Sequence, residues 1–208
     1  MKFTFALLSI ILAAKFAQAQ RFNAEVMIGD VNYYYAHSLS LPFKSHKRYS
    51  LSHASSHHSL YDEKEKNELM SQTYLSYGLS KNFKIAAGTF YASKPGISAS
   101  LALQSSFQVQ YLRALIVPRI DLKQGGSYEV MMLLDYDVPV SEKLMLYVRT
   151  QLMSNYTQSI HNRSYQNLRI GLKLGQAAFG LALNIDERGA EKQQQFNWGA
   201  FFRHDFKL

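Results

Sequence analysis

Residues 128–138 read YEVMMLLDYDV, and their pattern decides the fold. Tyr128, Val130, Met132, Leu134, Tyr136 and Val138 fall on one side of an extended chain, and Glu129, Asp135 and Asp137 fall on the other. Successive side chains of a strand point to opposite faces, so an apolar period of two marks a β-strand with one wet side and one dry side.

The same period recurs outward from this stretch. Leu144, Leu146, Val148, Thr150 and Leu152 oppose Lys143, Arg149 and Gln151. Leu168, Ile170, Leu172 and Leu174 oppose Asn167, Arg169, Gly171 and Lys173. Phe179, Leu181, Leu183 and Ile185 oppose Gly180, Ala182, Asn184 and Asp186, and Phe196, Trp198, Ala200, Phe202 and Phe206 carry the pattern to the end. Towards the N-terminus, 97–104, 83–91, 69–79 and 31–43 alternate likewise. Turn residues punctuate these runs at 29–30, 80–82, 94–96, 124–126, 141–143, 175–176 and 187–189. No stretch reads as a linker, so the pattern predicts one all-β unit, an antiparallel meander.

The chain has 208 residues, 47% hydrophobic and 13% aromatic, with only 11 Gly and 4 Pro, which excludes a disordered or collagen-like chain. Its mean hydropathy is slightly negative. That excludes a bundle of membrane helices but not a membrane β-barrel, whose strands average apolar and polar positions. Cysteine is absent, so no disulfide framework, thiolate metal site or Cys nucleophile exists. The net charge of +8 favours anionic neighbours such as lipid headgroups. The basic residues are scattered rather than striped, and no nucleic-acid partner is expected.

Residues 1–19, MKFTFALLSIILAAKFAQA, have the layout of a signal peptide. Lys2 supplies the positive start, 3–14 the apolar run, and Ala17-Gln18-Ala19 the small residues before cleavage. The apolar run is too short to span a bilayer, which takes about 20 residues. The expected organisation is a cleaved signal over 1–19 and a single barrel domain over 20–208, exported by the Sec route.

Three features separate a membrane barrel from a soluble sandwich, which also alternates. The apolar faces are long, and residues 128–138 match the roughly 9–11 residues of a tilted membrane strand. The opposite faces mix small, polar and charged residues, as a narrow interior requires. Aromatics such as Tyr33, Tyr77, Tyr91, Tyr156 and Phe206 cluster near strand ends, where membrane barrels place interfacial girdles. The alternative is a soluble periplasmic β-barrel that binds an apolar ligand.

The final segment QFNWGAFFRHDFKL alternates to Phe206 and Leu208, with Gly199 in mid-strand. It resembles the C-terminal strand that bacterial outer-membrane barrels present to their assembly machinery, although here two residues follow the last aromatic. With the signal and the meander, the whole chain resembles a small bacterial outer-membrane β-barrel protein. The resemblance implies outer-membrane localisation, contact with outer-membrane lipids and lipopolysaccharide, and a porin-like or structural role. The predicted fold is a transmembrane barrel of about 12 strands, or ten if 22–43 is one bent strand and 97–104 does not cross. Longer loops lie outside in such barrels. That puts 60–67, 121–126, 157–164 and 187–193 at the cell surface, and 43–47, 80–82, 141–143 and 175–176 in the periplasm.

The candidate interior residues are Glu129, Asp135, Asp137, Arg149, Arg169 and Lys173. They line a pore or small-solute site, or fill a narrow lumen with ion pairs, because unpaired charges there are costly. Arg113 and Arg119 lie in a segment that changes face near Leu112, and Pro118 suggests a bulge. The densest polar cluster is His53, Ser55, Ser56, His57, His58, Asp62 and Glu63. His53 and His57 lie about 13 Å apart along a strand, too far for one metal. Ser55 beside His57 offers the alternative of an outer-membrane lipid-modifying hydrolase built on His53, Ser55 and His57, without a third orienting residue. No P-loop, HExxH, GxSxG or EF-hand motif is present, and no catalysis, metal or cofactor is expected.

Overall fold

The computed structural model describes residues 21–207. Twelve antiparallel strands run in chain order: β1 Arg21–Gly29, β2 Asn32–Pro42, β3 Tyr49–Leu60, β4 Glu68–Gly78, β5 Phe83–Ala92 and β6 Gly96–Val109, then β7 Leu112–Asp121, β8 Ser127–Pro139, β9 Leu144–Thr157, β10 Ile160–Leu174, β11 Ala177–Arg188 and β12 Gln193–Lys207. Each pairs with its sequence neighbours, and β1 pairs with β12 from Arg21↔Lys207 to Gly29↔Gly199, closing the barrel. Closure leaves no sheet edge open. The signal peptide expected over 1–19, and Leu208, lie outside the described residues.

The strand count is twelve, with 96–109 crossing in full as β6. Two expected boundaries move. The outer loop expected over 157–164 is instead a two-residue turn at 158–159, because the β9–β10 ladder continues from Ile160↔Thr157. The bulge expected at Pro118 is a gap in the β6–β7 pairing without a change of register, and the true register shift falls between His161 and Arg163 on β10.

The faces follow the sequence period. Ile28, Ile97, Leu181 and Trp198 stand outward, each more than half exposed. Tyr33–Tyr61 and Tyr128–Tyr156 ring pairs mark one rim, and Tyr49–Tyr77 marks the other. An apolar belt between two aromatic rims is the exterior of a membrane barrel, and no soluble sheet tolerates so much exposed apolar surface. The chain is therefore an outer-membrane-type β-barrel rather than a soluble one.

The seam is fastened at the rim far from the termini. The Asn197 side-chain oxygen accepts from the backbone N–H of Val31 at 2.9 Å and of Asn32 at 3.2 Å, holding the β1–β2 turn. A Cβ at position 29 would collide with that Asn197 side chain, so glycine there makes room for the latch. The Asp30 carboxylate accepts from the Trp198 N–H at 2.8 Å, completing the link.

Candidate solute pathway in the lumen

The lumen is filled unevenly. Beside the β10–β12 and β1 wall, Met27, Tyr34, Tyr147, Phe201, Ala178 and Ala182 form a buried cluster. The small Ala178 and Ala182 leave the volume that the rings occupy. The inner positions of β2 to β4 are mostly small or polar (Ala36, Ser38, Ala54, Ser56, Gln72), and there the lumen stays open.

All six interior candidates point into the lumen and are paired. Arg169 donates from Nε to Glu25 at 2.8 Å and from Nη1 to the Asn184 side-chain oxygen at 2.8 Å. Arg149 pairs with Asp135 at 2.8 Å, and Arg113 lies 3.6 Å from Asp135 and 3.4 Å from Asp137. Lys173 joins Asp137 at 3.1 Å to Asp205 at 3.3 Å. Glu129 accepts from Arg119 at 2.7 Å, and the Arg119 guanidinium lies 3.6 Å over the Phe90 ring. Removing one partner of such a buried pair costs about 3–5 kcal/mol, because it leaves an uncompensated charge.

One ion-pair group crosses the whole lumen. Glu68 on β4 accepts from Arg163 on β10 and from Arg188 on β11, each at 2.7 Å. Asp186 accepts from Arg163 at 2.7 Å and from Arg188 at 2.6 Å. In the ring of twelve, β4 and β10 are diametrically opposed. This strap ties two opposite walls together near the rim far from the termini. Glu25, Glu68, Arg163, Arg188 and Arg203 were not among the sequence candidates. Glu25 and Arg203 sit at polar positions of alternating runs, a signal that could have found them. Arg163 and Arg188 fall in polar stretches that look like loops.

Beneath the strap lies a cavity of about 1110 Å³. It reaches the terminal rim, where Lys81, Asn82 and Gln110 line it, and ends at Met70, Phe90 and Tyr165 below Glu68. Its wall carries eight basic residues, Arg21, Lys81, Lys84, Arg113, Arg119, Arg149, Arg169 and Arg203, against two acidic ones, Glu25 and Glu129. Lys84 donates to the Ser50 hydroxyl at 3.2 Å, and among the described residues no carboxylate lies within ion-pair distance of it.

The histidine cluster is divided by the strand period. His58 points inward and stacks edge-on against Tyr34, with ring centres 4.8 Å apart. His53, Ser55 and His57 share the outer face of β3, as their alternation and burial show. Ser55 Oγ donates to the Met70 carbonyl at 2.9 Å, and His53 Nδ1 bonds the Thr73 hydroxyl at 2.9 Å. Neither bond joins the serine to a histidine, so the nucleophile–base contact of a hydrolase is not made here.

No protein-family model and no curated protein sequence matches the chain. Among solved structures, the KdgM porin superposes with a TM-score of 0.53 at 13% identity, covering 89% of this chain and 99% of that one. KdgM in complex with disordered oligogalacturonate gives 0.52 at 14%, again covering 89% of this chain and 99% of that one. The NanC porin gives a TM-score of 0.51 at 12% identity, covering 91% of this chain and all of that one (100%). At such identities the likeness establishes the fold, a closed barrel of the bacterial outer-membrane kind.

Proposed function

We propose that the protein is a narrow, non-enzymatic outer-membrane pore or binding barrel for small anionic solutes. The observation that carries this reading is the cavity wall: its arginines at 113, 119, 149, 169 and 203 are matched by carboxylates, whereas Lys81 and Lys84 near the terminal rim have none within ion-pair distance among the described residues and leave the entrance net positive. A net positive entrance to a low-dielectric tube concentrates anions and repels cations. The structural neighbour KdgM has a solved structure in complex with disordered oligogalacturonate, a polyanion, which supports the same direction. Export through the segment 1–19, delivery to the assembly machinery through the C-terminal strand and contact with lipopolysaccharide belong to this reading.

The test is the reversal potential of the purified barrel in a planar bilayer under a salt gradient. A potential on the anion side is expected, and Lys84→Glu is expected to move it towards the cation side. A cation-selective wild type would overturn the proposal.

A further inference from the structure

The barrel exterior is mostly apolar, and its most extensive polar patch lies on one wall. Four successive outward positions of β3 are His53, Ser55, His57 and Ser59. Beside them, β2 presents His37 and β4 presents Ser71 and Thr73. His37 and Thr73 are the middle residues of their strands, so the patch sits at mid-wall, where hydrocarbon is driest. The His37 and His53 rings lie 5.3 Å apart, among outward neighbours Tyr35 and Phe22. His53 has Thr73 as a partner and Ser55 has the Met70 carbonyl, but the His37 ring makes no side-chain hydrogen bond among the described residues, and of its two nitrogens only Nδ1 is covered. Polar side chains at this depth are costly against lipid and pair across protein interfaces instead.

We propose that the β2–β4 wall is an interface on which a second copy of this chain docks about a two-fold axis along the membrane normal. Three features favour a second copy over another partner. The patch carries no Asp, Glu, Lys or Arg at the outward positions of β2, β3 and β4, so two copies meet without charge repulsion. Imidazole and hydroxyl groups both donate and accept, so the surface is complementary to itself. With β3 on the axis, the rotation sets β2 of one copy against β4 of the other. His37 then faces the Ser71 and Thr73 hydroxyls of the second copy, within reach of its Nε2, the ring nitrogen that is not covered. Such an interface is isologous, and small residues such as Ser55 and Ser71 let the two walls approach closely.

The chain has no cysteine, so one introduced thiol reports on one place. Full-length Ser55→Cys protein in native outer membranes is treated with a bis-maleimide reaching about 10 Å, the spacing of face-packed sheets. A shift to twice the monomer mass is expected, and Leu181→Cys on β11, four strands round the barrel from β3, is expected to stay monomeric. A second variant, His37→Leu/His53→Leu/Thr73→Val, is expected to lose the dimer in mild detergent while still shifting mobility on heating, as a closed barrel does. Overturning results are a Ser55→Cys protein that stays monomeric, crosslinks equally well at position 181, or crosslinks only to a different protein or to lipid. Because the readout is mass rather than conductance, failure of the pore reading leaves this test unaffected.

Discussion

At Glu68, two guanidinium groups from the opposite wall converge on one carboxylate. The side chain is about one-tenth exposed, and the cavity ends just below it. Glu68→Gln keeps the shape and removes the charge that draws Arg163 and Arg188 across the lumen. Asp186 still compensates both arginines, so the stability cost stays below the roughly 3–5 kcal/mol of a fully broken buried pair. The expected outcome is a higher single-channel conductance than wild type with unchanged heat-modifiable mobility. An unchanged conductance would show that the strap does not limit passage.

At the scale of the strand, β8 makes the faces testable. Met132 points to lipid and Met131 lines the cavity. An arginine at the midplane of a barrel exterior costs about 2–4 kcal/mol, whereas the lumen is already polar. Met132→Arg should therefore lower the yield of folded barrel on unheated gels, and Met131→Arg should leave it near wild type. Strand identity and facing were legible because one-sided burial imposes a period of two, which most strands show plainly; β7, LRALIVPRID, hides it by placing Leu115 and Val117 on the lumen side as well. β3, YSLSHASSHHSL, is polar on both faces, so alternation alone did not reveal that its histidines divide between lumen and exterior. The interior charges of β8–β10 were legible for the same reason. The Glu68 strap was not, because it joins strands half a barrel apart, and the period within a strand carries no information on which residues meet across the lumen.

For the whole molecule, the rim far from the termini collects the turns expected at the cell surface. Among them, residues 61–67 hold a short 3₁₀ turn, Lys64–Lys66, with no buried residue and an exposed Lys66–Glu63 pair at 2.7 Å. An epitope inserted between Lys64 and Glu65 should be tolerated, since loop closure costs only about 0.6 kcal/mol per doubling of length. It should bind antibody on intact cells. Binding only after the outer membrane is permeabilised would invert the sidedness.

The barrel wall is oily outside and wet inside, and residues 128–138 test that division most directly. Each position is replaced in turn by a spin-labelled cysteine in the folded protein, reconstituted in lipid. Collision with oxygen, which partitions into lipid, should peak at 128, 130, 132, 134, 136 and 138. Collision with a water-soluble nickel complex should peak at 129, 131, 133, 135 and 137. Two opposed periods of two are the predicted result. A profile in which the apolar positions meet neither lipid nor water, as in the core of a soluble sandwich, would contradict it.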